Sequence, residues 1–456
     1  MTWPTLPLPW PTTAQVRGPR RWWDGPLDVE GLAVGSVRAA VSAANTVAIA
    51  RDCPWSGWVA SGLVGASFGS IGRLRVDGSP VAEWAELSGF FAAADGWVRL
   101  HGNYPHHAEV LRRVLDANGR AGDQAGDRAG VAAAVRSRAA LEVEAAVRAA
   151  GGIAGAVRSP DAWREHPHHA AAIAGTGLVT VGTPTGAVRP LEPSVSLPLS
   201  GIRVLDLTRV IAGPTAARFL GALGADVLRV DPPAMPELLG QHLDTGFAKR
   251  STVLDFGSDD QLATARELAG SADIVLSSYR PGALKRFGLD RDSLLAGHPH
   301  LVVVELSAWG DTGPWATQRG FDSIVQAVTG IASRYAAADG TPGALPVQAL
   351  DHATGYLMAT SAMRLLSRRP QEGGASARLA LARTADWLLQ APAVGGTVDA
   401  DAFDGPDCPL WLEQADSSYG LLEGVRPPVF AGDVPLEYPT APTRYGADVP
   451  EWWQRE

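Results

Sequence analysis

The sequence predicts an α/β protein built around a parallel sheet, and three observations support that prediction. Residues 201–231, GIRVLDLTRVIAGPTAARFLGALGADVLRVD, have the pattern of a strand, a helix and a second strand. Such units form parallel sheets with right-handed crossovers. Strands and helices continue to alternate as far as residue 390. The run Leu301–Leu306 is almost wholly apolar, which is typical of a strand buried on both faces.

The first unit is the most sharply defined. Ile202–Leu207 is rich in β-branched residues, and Val227–Val230 is its partner strand. Gly224 stands where the end of a helix favours left-handed backbone. One apolar helix face precedes it, at Ala216, Phe219, Leu220 and Leu223.

The later elements follow from the same periodicities. Helix 259–270 starts with two acids that suit the positive end of its dipole. The other predicted helices cover 321–332, 351–369 and 384–390, and the other strands cover 274–276 and 377–382.

The first half of the chain, before residue 201, has weaker secondary-structure patterns. Residues 1–30 predict an irregular arm, and Leu32–Ile49 predicts one or two buried helices. A strand at 96–100 and helices at 106–117 and 131–150 follow, with a loop at 118–130. We expect a small α/β domain at 1–183, a proline-rich linker at 184–199, the main domain at 200–391 and an extended tail at 392–456.

Composition excludes several classes of protein. The chain has 456 residues, a net charge of −9 and no long basic run, so nucleic acid is not an expected partner. No apolar stretch is expected to reach the about 18 residues of a membrane span. The first residues lack the basic and apolar regions of a signal peptide, and the only cysteines are Cys53 and Cys408. We therefore expect a cytoplasmic protein.

Several familiar nucleotide-binding and metal-binding motifs are missing. The sequence contains no Walker lysine loop and no H-E-x-x-H, and no G-x-G-x-x-G follows the first strand. Two histidine clusters occur, at 106–107 and 166–169. They lack cysteine or acidic companions at ligand spacing, so we predict exposed histidines and no metal site.

Seven segments in order resemble the family III CoA-transferases, which include formyl-CoA and carnitine-type enzymes and have α-methylacyl-CoA racemase as a relative. The segments are GIRVLDLTRVIAGP at 201–214, LGADVLRVD at 223–231, KRSTVLDF at 249–256, SYRPGALKRFGLD at 278–290, VVVELSAWGDTGP at 302–314, RGFDSIVQAVTG at 319–330 and LPVQALDHATGYLMATSAMRLLSRR at 345–369. The resemblance implies a doubly wound, Rossmann-like CoA domain with a second, smaller α/β domain, here placed N-terminally.

The resemblance implies that Asp351, in the pattern Asp-x-x-x-Gly, is the catalytic nucleophile. A carboxylate at a helix N-terminus is expected to be kept ionised by the dipole and the free N–H groups, although an Asp there also serves as a helix cap. Asp322 is the second candidate acid. The racemase has a catalytic His directly before it, where this chain has Phe321, so a transferase is favoured over a racemase.

For CoA itself the resemblance points to positions in several turns. Arginine forks suit phosphate oxygens, and further cations could add to the field. The candidate CoA-binding residues are Val210, Ala212, Lys249, Arg250, Leu254, Arg280, Arg286 and Arg319. Departures from the family pattern occur at Ile211, Pro232 and Gly257.

The order of segments is also unusual. AADGWV at 93–98 and the helices after it resemble the family's small domain, which normally follows the nucleophile. PPVFAGDVPLEYPTAPTRYGAD at 427–448 resembles the family's returning tail. A circular permutation and a fusion that lost one catalytic half both fit this order.

The expected function is therefore transfer of CoA from an acyl-CoA thioester to a carboxylic acid acceptor. Acyl-CoA is expected to be a substrate, with no tightly bound cofactor, and the resemblance implies an interlocked homodimer. An acyl-CoA racemase or isomerase and a catalytically silent CoA-binding subunit are the alternatives.

Overall fold

A long buried helix near the start of the chain packs against the middle of the molecule. The computed structural model describes residues 3–81, 84–115, 124–392, 405 and 407–453. The first elements are β1 Val16–Arg17, α1 Val29–Ala50, β2 Gly57–Ala60, α2 Ser61–Phe68, α3 Ser70–Arg73, β3 Arg75–Val76 and β4 Ser79–Pro80. Helix α1 begins where the Asp28 carboxylate accepts a hydrogen bond from Gly31 N–H over 2.9 Å.

A small sheet with its own helices follows. Its elements are β5 Gly89–Ala92, β6 Trp97–Leu100, α4 Pro105–Val114, α5 Gln124–Arg136, α6 Ala140–Ala149 and β7 Ala154–Ala156. They enclose a separate apolar core that includes Val98, Leu111 and Val143. Two short helices and an edge strand then lead to the main sheet: α7 Pro160–Arg164, α8 Pro167–Ala172 and β8 Val179–Val181.

The main sheet is the doubly wound structure that the sequence predicts. Its elements are β9 Arg203–Leu207, α9 Ala212–Ala222, β10 Asp226–Asp231, α10 Leu239–Thr245, β11 Arg250–Val253, α11 Asp259–Gly270, β12 Ile274–Ser277, α12 Arg291–Gly297, β13 Val302–Ser307, α13 Asp322–Thr329, α14 Ile331–Arg334, α15 Ala349–Glu372, β14 Ala375–Ala380 and α16 Leu381–Gln390. The strand order is β11-β10-β9-β12-β13-β14-β8, and β8 alone runs antiparallel to its neighbour.

Side chains alternate between the two faces of this sheet, and helices cover both. Val204 of β9 packs into the core that contains α1, α9 and α15. The next residue, Leu205, packs into the core beneath α11 and α12. The order of strands reverses at β9, between β10 and β12, and ligands of such sheets bind outside the carboxyl ends at that point.

The C-terminal elements return to the first half of the chain. They are β15 Leu412–Ser417, β16 Gly420–Val425, β17 Phe430–Ala431 and β18 Val434–Pro435. Strand β16 pairs with β3, and β17 pairs with β2. The tail expected at 392–456 therefore contains an ordered hairpin where it is described.

Two further expectations from the sequence need correction. Residues 1–183 are not one small domain, because α1 lies in the main core and β8 completes the main sheet. Helix α1 is also long and apolar enough to cross a membrane by length and composition, contrary to expectation, although 78% of its most apolar window is buried within the protein. Its packing along α15 accounts for its apolar surface.

Candidate functional site

The turn that follows β9 lies at the switch point of the sheet and has a strained backbone. Val210 has a φ of +70°, a left-handed conformation that β-branched residues rarely adopt. Its N–H donates to Oε2 of Glu237 over 2.9 Å. Glu237 is buried. Its carboxylate also accepts a hydrogen bond from the Tyr104 hydroxyl and forms an ion pair with Arg229. Strain of this kind persists only where neighbours enforce it, and it is common at binding sites.

Helix α15 approaches this turn because of one glycine. A Cβ at Gly355 would lie 2.3 Å from the carbonyl oxygen of Ala212, the first residue of α9. Only glycine allows the two helices to cross so closely. Asp351 lies one turn earlier on α15, in the helix's first turn, and is thereby brought against the turn after β9. The pattern Asp-x-x-x-Gly thus has a steric explanation.

Asp351 lies beside a second buried acid. Its backbone N–H donates to Oδ2 of Asp322 over 3.0 Å, and the two residues are 6% and 1% exposed. The other oxygen of Asp322 accepts a hydrogen bond from the side-chain amide of Gln326. Gln326 is oriented in turn, because its Oε1 accepts from Leu345 N–H over 2.8 Å.

Burial raises the pKa values of both acids, and repulsion by Asp322 adds to the rise at Asp351. Burial raises the pKa of Asp322 to about 6. Burial, with the charge of Asp322 added, raises the pKa of Asp351 well above its ordinary value. Desolvation therefore outweighs the helix N-terminus, contrary to the expectation that the N-terminus keeps Asp351 ionised.

Asp351 opens into a cleft of about 230 Å³ with cationic walls. The guanidinium groups that line it belong to Arg209, Arg280 and Arg319. Among the described residues that line the cleft, Asp351 is the only acid. Three guanidinium groups around one carboxylate suit an anionic ligand with several phosphates.

Asp351 also borders a smaller, enclosed cavity with polar walls. The small N-terminal sheet contributes His101 to it, and the main domain contributes Ile211, Gln241, Asp322 and Ser323. The His101 ring stacks on Phe321 with 4.1 Å between centroids. The small sheet thus forms one wall of the site.

The structure brings together some of the residues that the sequence nominates. Val210, Ala212, Arg280, Arg319 and Asp351 line the cleft, and Asp322 lines the smaller cavity. Arg280 and Arg319 are exposed and reach backbone carbonyls, at Thr317 and Gly151 respectively. Both side chains are positioned to hold a ligand at the mouth of the cleft.

Four nominated residues lie elsewhere. Lys249 is buried under the sheet and pairs with Asp206 over 3.0 Å. Arg250 points to the amino ends of the strands and pairs with Asp226 over 2.7 Å. Leu254 belongs to the core beneath α11, and Arg286 is exposed with its guanidinium 4.5 Å from the Phe287 ring. None of the four lines the cleft.

The histidines expected at the surface are mostly buried. His107 is a buried residue of the cleft wall, and burial lowers its pKa to about 3. His168 is fully buried: one ring nitrogen lies 2.8 Å from the Trp309 carbonyl, and the other accepts from Trp315 N–H. Within the described part of the chain, no group of three or more His, Cys, Asp or Glu side chains could hold a metal ion.

The sequence did not reveal several residues of the site. Arg209 directly precedes Val210, so its position in the same turn could have indicated that it lines the site. Tyr104 and His101 carried no such signal, because both lie far from β9 in the sequence. The fold alone brings them to the turn and to Phe321.

Comparison with known proteins finds similarity over part of the chain. Residues 199–404 match the model of CoA-transferase family III. A Mycobacterium tuberculosis protein named probable fatty acyl-CoA transferase is 32% identical over 189 residues, which are 39% of this chain and 48% of that protein. A succinate–glutarate CoA-transferase of Agrobacterium fabrum is 33% identical over 199 residues, 40% of this chain and 50% of that protein.

The matched region is a part of each protein. The chain spans about half the length of these curated relatives. A crystal structure of the mycobacterial protein overlaps 41% of this chain and 56% of its own, with 31% identity and a TM-score of 0.39. The resemblance stated from the seven sequence segments is confirmed for residues 199–404.

Proposed function

We propose that this chain, whose residues 199–404 match the model of CoA-transferase family III, moves CoA from an acyl-CoA thioester to a carboxylic acid through Asp351. One observation supports this above the others: Asp351 is the only acid among the described residues lining a cleft with three guanidinium groups. Nucleotide phosphates would bind those guanidinium groups, and the thioester would then reach the carboxylate.

The first half of the proposed reaction loads the enzyme. A carboxylate oxygen of Asp351 attacks the thioester carbonyl, the C–S bond breaks, and a mixed anhydride and CoA thiolate form. The thiolate then attacks the Asp351 carbonyl carbon. The donor acid leaves as a carboxylate, and an aspartyl-CoA thioester remains.

The second half runs these steps in reverse with the acceptor. The acceptor carboxylate attacks the aspartyl thioester, which releases the thiolate and forms a new anhydride. The thiolate attacks the acceptor carbonyl, and Asp351 returns as a carboxylate. Asp322 favours the covalent states, because acylation of Asp351 removes a charge that its own carboxylate repels.

The names of the relatives support an acid acceptor of this kind. Enzymes of Agrobacterium fabrum and Homo sapiens are named succinate–glutarate and succinyl-CoA:glutarate CoA-transferase. The homodimer and the cytoplasmic location belong to the same proposal. Light scattering after size-exclusion chromatography and cell fractionation test these two points.

A second candidate is exchange of the proton next to the thioester carbonyl. His101 lies against Phe321 and beside Asp351, and both of its ring nitrogens lack a partner. An imidazole and a carboxylate on one cavity could remove and return such a proton. Uptake of solvent deuterium into the acyl chain, lost in His101→Phe, would favour this activity.

The decisive experiment is mass spectrometry of the intact protein after incubation with acetyl-, butyryl- and succinyl-CoA and trapping with hydroxylamine. The proposal expects a modification on the peptide that carries Asp351, absent in Asp351→Asn. CoA binding without any adduct would instead identify a silent CoA-binding subunit.

A further inference from the structure

A guanidinium group with no acidic partner among the described residues lies close to the pair of buried carboxyl groups. Arg99 is partly buried on β6, and its charge is near enough to Asp322 to lower the pKa of that carboxyl. It forms no ion pair with any described residue, and its Nε has no hydrogen-bond partner. Its contacts are aromatic, with the Trp84 and Phe90 rings 5.2 and 4.9 Å away.

Strand alternation explains how Arg99 reaches this place. Val98 and Leu100 point into the core of the small sheet. Arg99 and His101 therefore share the opposite face, which is turned towards α13. Neighbouring β7 lies close to that helix because Gly155 has no side chain. A Cβ at this position would lie 2.9 Å from a methyl group of Val328.

Arg99 lines a pocket of about 430 Å³ that adjoins the enclosed cavity beside Asp351. The two share walls formed by Trp84, Ser323 and Gln348. Among its described lining residues, this pocket has no acidic side chain. Arg128 lies near enough to lower the pKa of Arg99, so the surrounding potential is positive.

The enclosed cavity between Arg99 and Asp351 is equipped for a polar ligand. Its unpartnered buried atoms are both ring nitrogens of His101, the hydroxyl of Ser323 and Oε1 of Gln241. His101 is 95% buried, since only 5% of its surface is exposed. Buried polar atoms normally have partners, so this cluster indicates a group that binds there.

We propose that Arg99 selects acid substrates that carry a second carboxylate: one carboxylate occupies the enclosed cavity beside Asp351, and the distal one pairs with the Arg99 guanidinium. The acid enters past Trp84, while CoA occupies the cleft of Arg209, Arg280 and Arg319. This assignment rests on the proposed transferase function, and it names the substrate class as dicarboxylates. Burial lowers the pKa of Arg99 to about 10, which leaves it a cation at neutral pH. A carboxylate gives such a cation two parallel hydrogen bonds.

The test compares glutarate with valerate, which has the same number of carbons and one carboxylate fewer. Transfer rates are measured with the donor that labels Asp351, for wild type, Arg99→Gln, Arg99→Lys and Arg113→Gln. Arg113 is an exposed residue of α4 and controls for the loss of one positive charge. Succinate and adipate establish the preferred chain length.

The proposal expects Arg99→Gln to raise KM for glutarate by about tenfold or more, with valerate transfer and Asp351 labelling unchanged. Arg99→Lys should restore part of the glutarate preference, and Arg113→Gln should match wild type. Equal use of glutarate and valerate by wild type, or equal loss of both in Arg99→Gln, would overturn it. Calorimetric titration with glutarate measures binding without turnover. Glutarate binding that depends on Arg99, in a protein that transfers no CoA, would support the dicarboxylate subsite and refute the transferase function.

Discussion

The backbone N–H of Asp351 donates to the carboxylate of Asp322 over 3.0 Å, so two buried acids from different helices lie side by side. Asp322 begins α13, and Asp351 lies in the first turn of α15. Gln326, one turn later on α13, donates to the other oxygen of Asp322 and is itself oriented by Leu345 N–H. Proximity at low solvation makes the two carboxyl groups compete for ionisation.

The Asp322–Asp351 pair should give the pH profile of the reaction an unusual acid limb. The nucleophile must be ionised, and the pKa of Asp351 is raised by burial and by Asp322. We expect kcat/KM for the acyl-CoA donor to begin its fall at a pH above the range in which an ordinary carboxyl group titrates. Single-turnover labelling of Asp351 across pH 4–9 measures this directly.

Asp322→Asn tests the origin of that limb. Removing the neighbouring charge should lower the pKa of Asp351 and move the acid limb to lower pH. The amide still accepts a hydrogen bond from Asp351 N–H through its oxygen. A limb that stays at the wild-type pH would show that the Asp322 charge is not its cause.

The same pair should reduce the stability of the folded protein at neutral pH. An acid whose folded pKa exceeds its unfolded value binds more protons when folded, so stability falls as pH rises between the two values. For Asp322 that window runs from 3.8 to about 6. The pKa of Asp351 is raised in the same direction, by burial and by the charge of Asp322. Asp351→Asn removes that cost and should raise the free energy of unfolding at pH 7 by roughly 1–3 kcal/mol. The gain should shrink towards pH 4, as chemical denaturation at both pH values will measure.

The exposed residue Asp433 provides the control for this prediction. Asp433→Asn changes the net charge equally but removes no buried carboxyl group, and its stability should match wild type at both pH values. An Asp351→Asn protein that is less stable than wild type at pH 7 would contradict the account.

The central sheet was predictable because its signals are local. Helix 259–270 and the strand at 274 are observed where periodicity and the acidic first turn placed them. Gly224 has the left-handed φ of +99° expected at the end of α9. By contrast, the helix expected at 321–332 breaks at Gly330, where a Cβ would lie 2.4 Å from the backbone of Pro160. Gly330 also has a left-handed φ of +94°, so the glycine was a local helix-end signal that the apolar periodicity obscured.

The candidate site was predictable only in its central residues. The resemblance nominated Asp351 and Asp322 because their motifs are contiguous in the chain. It also nominated Lys249, whose buried pairing with Asp206 no local pattern reveals. Tyr104, His101 and Arg99 remained hidden, since they reach the site only after the small sheet packs on α13. The sequence shows which side chains are charged, but the direction in which each charged side chain points depends on packing.

Gly355 provides a steric test of how Asp351 is placed. In Gly355→Ala, the new Cβ would lie 2.3 Å from the Ala212 carbonyl oxygen, so α9 and α15 must move apart. We expect a loss of about 2 kcal/mol or more in stability and a large loss of Asp351 labelling. Gly297→Ala is the matched control, because no atom lies within 4 Å of its Cβ position at the end of α12. If Gly355→Ala keeps full stability, the close crossing of the helices is not required.

Arg209 and Arg286 together test which cations hold CoA. Arg209 lines the cleft, and its guanidinium lies 5.5 Å from the Tyr104 ring and 3.8 Å from the Glu237 carboxylate. Arg286, which the family resemblance nominates, lies exposed outside the cleft. We expect Arg209→Gln to raise KM for acyl-CoA by about tenfold with a small change in kcat, because a phosphate contact persists from ground state to transition state. Arg286→Gln should alter KM by less than about twofold. Steady-state kinetics at two ionic strengths measures both, and a larger effect at Arg286 would mean that the nucleotide lies outside the cleft of Arg209.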